Sequence, residues 1–402
     1  MGIAFVTLHK IFGMVFRDRF LLLACFFCIV FQSFSQTEIA KPVKIAVFAP
    51  VYLDSVFNNN VYQPGKNILP KYLVPGLDFY NGVMMAADTL NAEHSSVEVL
   101  FYDSKSQQSS IQKMVTDPAL QDVSMIIASF NSRAEIKPLA DFALEKNIPL
   151  ISATYPNAGG ITDNPFFVLQ NPTLSAHIEA VYHFMHRYYP LEHITVFRKK
   201  GVMEDMIQSE IAGMNARTAG LPLSLNTVEL PDHFSAEQVL SYLDSTRQNI
   251  VFCGSLDENF GSSLSRALSS SFNFKAIAIG MPTWDGLRDI SRNLEVVYSS
   301  PYQHNIIDNL RLRLTEKYKS LYAGLPTDMF FKGYESMYHF THLLLKYGAD
   351  VMTHLSDKSF KVFNDFQFEP VMVRKNANTT DYLENKKLYF IRMKDGVIKS
   401  VN

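Results

Sequence analysis

The sequence predicts an α/β fold of two successive doubly wound lobes, each a mainly parallel sheet with helices on both faces. Three observations predict it. Short apolar runs alternate with amphipathic helical stripes, the pattern of right-handed βαβ units. That alternation runs through once, pauses, and starts again near His177. And 402 residues are long for a single core, so two domains are expected.

The first apolar run, Lys44-Ile-Ala-Val-Phe-Ala-Pro50, reads as a strand, and a polar excursion rich in Asn, Pro and Gly follows from Asp54 to Gly76. The Asn58-Asn-Asn60 part of it reads as a surface loop near the mouth of a cleft. From Leu77 to Asn91, residues Phe79, Val83, Ala86, Ala87 and Leu90 fall on one helical stripe. Val97–Tyr102 is a strand, Ile111–Thr116 a helix, Ser124–Ala128 a strand, Arg133–Lys146 a helix, and Pro149–Ser152 and Phe166–Leu169 two further strands.

The second series opens with a helix at His177–Tyr188 and a strand at Ile194–Phe197. Helices at Glu204–Arg217, Ala236–Ser245 and Gly261–Leu268 then alternate with strands at Thr227–Leu230, Ile250–Cys253 and Lys275–Ile279. The last hundred residues read differently. A strand at Val296–Ser300 precedes two long helices, Ile306–Tyr322 and Met329–Tyr347. The tail carries Phe366-Gln-Phe-Glu-Pro370 and a hairpin over Lys387–Val401, with Asp395-Gly396 at its turn.

The N-terminus has its own logic. Arg17-Asp-Arg19 precedes the apolar run Phe20–Phe31, and Ser33 and Ser35 supply small residues at the −3 and −1 positions of a cleavage site. The run is short of the roughly 20 residues a membrane span needs, so residues 1–36 read as a signal peptide of an exported protein. The signal is complete from Met14, which leaves Met1 and Met14 both open as the start. Leu22-Leu-Ala-Cys25 has the outline of a lipoprotein box, and a membrane anchor at the N-terminus is the other alternative. Cleavage removes Cys25 and Cys28 and leaves Cys253 as a small buried hydrophobe with no disulfide partner.

Composition excludes several classes. A formal net charge of −2 shows no basic bias, which argues against nucleic acid as a partner. No G-x-S-x-G, H-E-x-x-H or Walker A spacing occurs, and His183 and His186 lack a third ligand in sequence. No enzyme activity, metal or cofactor is expected. A hydrolase built on Ser255 or Asp257 is the remaining catalytic alternative.

In this order of elements the chain resembles the type 1 periplasmic binding proteins, in their leucine/isoleucine/valine-binding branch. The resemblance is carried by Phe79-Tyr-Asn-Gly82, Ala86-Ala-Asp-Thr-Leu-Asn91, Tyr102-Asp103-Ser104, Ile126-Ile-Ala-Ser129, Ile148-Pro-Leu-Ile-Ser152, Gly333-Tyr334-Glu335 and Lys346-Tyr-Gly348. It implies two lobes joined by three crossings, near Asn171–Thr173, Pro301–Gln303 and Gly348–Val351. The first lobe would hold residues 37–171 and 303–348, the second 172–302 and 349–402. It also implies a monomer that captures a small polar or amphipathic solute in the periplasm and passes it to an ABC permease. An envelope interaction or sensing protein that keeps the fold without transport is the alternative.

Ligands of open α/β sheets gather beyond the carboxyl ends of the strands. In the first lobe those loops hold Ser129, Asn131 and Ser132, then Ser152, Thr154 and Tyr155. Ser132 and Glu135 have capping-box spacing, and in the family hydroxyl-bearing residues at this helix start meet the ligand's carboxylate. Tyr155 either covers an apolar side chain or packs on Pro156, and Tyr52 is core or rim. In the second lobe Leu256 and Asp257 stand where the family places aromatic residues, and Thr283 where it places an acid for the ammonium, with Asp285 nearby. A buried ammonium needs an anion or a full set of acceptors, and Asp257 or Asp285 could supply the charge. Arg198-Lys-Lys200 reads as a solvated run. Trp284, the only tryptophan, is open to two readings: stacking on a ligand or packing under the next helix.

Overall fold

A computed structural model describes residues 42–65, 68–303, 308–373 and 379–401. The signal segment with Met14, Cys25 and Cys28 lies outside the described residues, as does the start of the helix expected from Ile306.

In chain order the strands are β1 (Val43–Ala49), β2 (Phe57–Asn58), β3 (Val61–Tyr62), β4 (Val97–Asp103), β5 (Met125–Ala128), β6 (Leu150–Ser152) and β7 (Phe167–Leu169). Next come β8 (His193–Arg198), β9 (Ser224–Glu229), β10 (Asn249–Cys253), β11 (Ala276–Gly280) and β12 (Glu295–Ser300). The tail adds β13 (Phe368–Val371), β14 (Tyr382–Asn385), β15 (Tyr389–Lys394) and β16 (Val397–Val401). They form two seven-stranded sheets, β13-β14-β7-β6-β5-β1-β4 and β16-β15-β12-β11-β10-β8-β9, plus the small hairpin β2-β3.

Strands covered on both faces read as unbroken apolar runs, and Ile45–Ala49 and Ile250–Cys253 are accordingly buried throughout. Cys253 is one of these buried residues, and burial pushes its thiol up to about 12. In the first sheet β1 is flanked by β4 and β5, and in the second β8 is flanked by β9 and β10. The strand order reverses at these points, so a crevice opens beyond the carboxyl ends of β1 and β5 and of β8 and β10.

Two long helices, Val74–Ala92 and Asp328–Tyr347, lie side by side on the first sheet. Their backbones touch at one glycine on each helix. A Cβ on Gly82 would stand 2.0 Å from the Phe330 carbonyl oxygen, and one on Gly333 2.2 Å from that of Phe79. Asp78 fixes their register, accepting from the Thr327 N–H (2.8 Å), the Thr327 hydroxyl (2.6 Å) and the Tyr318 hydroxyl.

The chain passes between the sheets after β7, after β12, and a third time at residues 386–388, between β14 and β15. The third passage corrects the expectation of a crossing near Gly348–Val351. Residues 349–385 stay with the first sheet because β14 runs parallel beside β7, with Leu383 opposite Val168 and Glu384 opposite Leu169. Buried Asp381 anchors the segment by accepting from the Asp163 N–H (2.9 Å) and the Val373 N–H (2.7 Å). Four-residue strands that include Pro370 in one and Glu384 and Asn385 in the other give no alternation for a sequence reading to find. The terminal hairpin β15-β16 joins the second sheet, β15 antiparallel to β12.

Candidate ligand site between the lobes

Asp103 shapes the first loop of the crevice. Its carboxylate accepts from the N–H groups of Val51 (3.0 Å), Tyr52 (3.1 Å) and Leu53 (2.8 Å), drawing the chain after β1 into a tight turn with Tyr52 at φ 57°. The Tyr52 hydroxyl then accepts from the Asn131 amide at 2.8 Å, which ties this loop to the one after β5. In that second loop Ser129 is buried, and its hydroxyl meets the Thr154 hydroxyl at 3.2 Å. The structure therefore brings Ser129, Asn131 and Thr154 together. Ser152 points inward, donating to the Tyr155 carbonyl at 3.4 Å, and Tyr155 lies half-buried against the first-lobe core.

Ser132 has its capping box. Its hydroxyl accepts from the Ala134 N–H at 3.3 Å. The Glu135 carboxylate takes the N–H groups of Asn131 (3.0 Å) and Ser132 (3.2 Å) and pairs with Lys105 at 2.7 Å. The donors that would cradle a ligand carboxylate here are thus held by the protein's own carboxylate, which adds a negative charge besides.

In the second lobe Asp257 is occupied in the same way. It caps the helix Glu258–Ser269 through the N–H groups of Asn259 (2.8 Å) and Phe260 (3.0 Å) and pairs with Lys199 at 2.5 Å. The Lys199 ammonium and the capping N–H groups hold its carboxyl below the usual range. Leu256 packs half-buried on the second-lobe core. The run Arg198-Lys-Lys200 is not the solvated run expected: Arg198 is 5 % exposed, bonded to Asp205 and Gln208 with Glu229 at 3.8 Å. Lys199 is half-buried and Lys200 is exposed.

Trp284 is core. It is 1 % exposed; a Cβ on Gly280 would stand 2.3 Å from the indole and one on Gly261 2.9 Å from its nitrogen. Two glycines make the slot into which the ring fits, so the ligand-stacking reading gives way to packing. The neighbouring Thr283 hydroxyl is buried without a partner, while Asp285 is exposed and accepts from the Tyr298 hydroxyl at 3.0 Å.

Where the second crossing leaves β12, a cavity of about 270 Å³ opens. Its walls include Asp285, Tyr302, Gln303, Arg311, Phe331 and Lys332. It connects to the loops already described. The Tyr302 hydroxyl donates to the Asn171 side-chain oxygen (3.2 Å), the Asn171 amide donates to the Thr154 carbonyl (2.7 Å), and Thr154 meets Ser129. Sequence reasoning placed Asn171 and Gln303 at crossings but gave no site role to Tyr302, Arg311 or Lys332. Nothing in their spacing marks them, because only the packing of two helices against a crossing brings them together. A larger cavity of about 550 Å³ lies beneath the helix Val202–Arg217, walled by second-lobe residues such as Ile207, Ile211, Leu225 and Phe252.

No family model matches the sequence, and no curated protein matches it. Solved structures do match. One is a Rhodospirillum rubrum protein assigned to a branched-chain amino acid ABC transporter, at 14 % identity over 90 % of this chain and 100 % of that one, with a TM-score of 0.63. The fold is that of the type 1 periplasmic binding proteins. An ABC transporter substrate-binding protein of Desulfitobacterium hafniense in complex with Leu matches at 12 % identity over 90 % and 100 % of the two chains, with a TM-score of 0.55. A leucine-, isoleucine-, valine-, threonine- and alanine-binding protein of Brucella ovis in a closed conformation matches at 12 % over 90 % and 95 %, with a TM-score of 0.53.

In an open α/β fold of this kind the loops described here lie beyond the carboxyl ends of the strands. Several residues behind the resemblance have structural work there. Asp103 folds the first loop, Gly82 and Gly333 let two helices touch, and Glu335 accepts from the N–H groups of Phe363 (2.9 Å) and Asn364 (2.7 Å). No described helix is long and apolar enough to cross a membrane.

Proposed function

We propose that this chain is an exported, monomeric solute-binding protein that captures an amino acid or a related small polar solute between its lobes and delivers it to an ABC permease. The observation that carries the reading is the hydrogen-bonded row Ser129–Thr154–Asn171–Tyr302. It joins a crevice loop to two of the three crossings, so a solute touching Ser129 or Thr154 is coupled to the parts that bend when lobes close. The substrate-binding proteins among the matched structures support a carrier in preference to an enzyme.

Small-angle scattering of the protein with and without amino acids, peptides and sugars tests the reading, together with mass spectrometry of any co-purified solute. Contraction with one member of the panel is the expected result. A protein that stays open throughout and carries nothing sinks it. N-terminal sequencing of the exported protein should start near Gln36.

A second reading, an envelope sensing or interaction protein, is favoured by one observation. Asp257 and Glu135, two acids of the crevice loops, are both engaged by the protein's own lysines. A ligand that closes the lobes in a protein that supports no uptake would select it.

A further inference from the structure

We propose that the solute's carboxylate binds in the hinge cavity, at Arg311 and Lys332, and not at the helix start after β5. The inference rests on the solute-binding reading and concerns how that same crevice recognises its ligand.

The helix start is excluded by occupancy. Asn131 and Ser132 already give their N–H groups to Glu135, Ala134 gives its own to Ser132, and the Glu135 charge repels a second carboxylate. Coulomb repulsion between like charges a few ångströms apart outweighs a single remaining donor.

The hinge cavity holds two cations, Arg311 and Lys332, beside the acids Asp285, Asp328 and Glu335. The Arg311 guanidinium lies 4.1 Å from the centroid of the Phe331 ring and 4.8 Å from that of Phe363. It makes no side-chain hydrogen bond or ion pair among the described residues. Cation–π contact uses up no N–H hydrogen bond, which leaves the guanidinium fork for an oxyanion. Lys332 stands 4.8 Å from the centroid of the Tyr302 ring and likewise has no ion pair among the described residues.

Of the acids in the same wall, Glu335 feels the Arg311 charge but forms no ion pair with it. Glu335 is spent on the Phe363 and Asn364 N–H groups and on the Asn364 side-chain amide at 2.8 Å. One acceptor also waits in the wall: the Gln303 side-chain oxygen is buried without a partner among the described residues, a cost that a solute N–H would remove. A volume of about 270 Å³ falls just under the range of roughly 300–1,000 Å³ typical of drug-sized ligands. The occupant is therefore a carboxylic acid about the size of a single amino acid, with Asp285 and Asp328 in the same wall to meet an amine if it carries one.

Isothermal titration with the twenty amino acids, their amides, succinate and a set of sugars tests this. The expected result is that an acid binds and its amide does not. Arg311→Gln and Lys332→Gln should each weaken the acid by about tenfold or more, the loss of one charge-assisted hydrogen bond, while Ser132→Ala leaves it within about twofold. Because Arg311 also packs on two aromatic rings, melting curves accompany the titrations, and Lys332→Gln decides if Arg311→Gln fails to fold. Equal binding of acid and amide, or full affinity in both cation variants, overturns the proposal and leaves solute binding intact. A sugar as the only ligand does the same. Binding of nothing, with no contraction in scattering, sinks the underlying reading as well.

Discussion

The Tyr302 hydroxyl donates to the Asn171 side-chain oxygen across 3.2 Å, so the first and second crossings are bonded to each other at the hinge. Asn171 uses its other end on the Thr154 carbonyl at 2.7 Å. Tyr302→Phe removes one bond and should cost about 1 kcal/mol. Asn171→Ala removes both and leaves the Thr154 carbonyl unpaired, so roughly 2–3 kcal/mol is expected. The double variant should fall short of the sum, since both act on one bond. Urea unfolding of the four proteins checks the order, and equal losses in the two single variants would contradict it.

Trp284 fills a slot made by Gly280 and Gly261. Gly280→Ala forces a methyl into the indole and should cost at least about 1–3 kcal/mol, the range for overpacking a core. Because the ring is 1 % exposed, its emission should be blue-shifted in the native protein and should not change when a solute closes the lobes. A solute-dependent emission change would return Trp284 to the crevice.

The same residue shows what the sequence could and could not say. The pattern of apolar runs was enough for two wound lobes, because a strand buried on both faces has to be apolar along its whole length. It placed the Trp284 loop at the carboxyl end of β11. Side-chain direction was not legible: whether Trp284 faced solute or core depended on Gly261, a residue of the preceding helix on the face that meets the ring. Likewise Ser132 and Glu135 announced a capping box by spacing, yet only the fold revealed that the box consumes the donors a ligand would need. Arg198 read as solvated because its partners Asp205 and Gln208 lie on the following helix, which turns back over it. The β13-β14 segment was lost for a different reason, since strands of four residues carry no period.

His177 offers a pH test. It lies in the helix Leu174–Tyr188, bonded through Nδ1 to the Ser299 hydroxyl at 2.9 Å, and burial lowers its pKa from 6.5 to about 4. The folded form therefore holds a neutral imidazole where the unfolded chain would take up a proton. Below pH 6.5 the unfolded state binds more protons, so stability falls as pH drops from 6.5 towards 4. The full difference is about 3 kcal/mol. Melting temperature against pH should decline over that window in the native protein, and His177→Gln should flatten the decline. A parallel decline in the variant would assign it to other groups.

Glu135 makes the last prediction, because it holds two backbone N–H groups and an ammonium at once. Ser132→Ala removes a cap and should cost about 1 kcal/mol. Glu135→Ala should cost more, roughly 2–3 kcal/mol, since it strands Lys105 and frees two N–H groups in a 6 % exposed site. The larger loss comes with a gain. Removing the carboxylate uncovers donors at a helix start and leaves Lys105 uncompensated, which is the composition of an anion site. Glu135→Ala should therefore bind acetate or sulfate where the native protein does not. A melting temperature that rises with added sulfate in the variant, and stays flat in Ser132→Ala, is the measurement; no difference between the two would mean that Glu135 does not block that position.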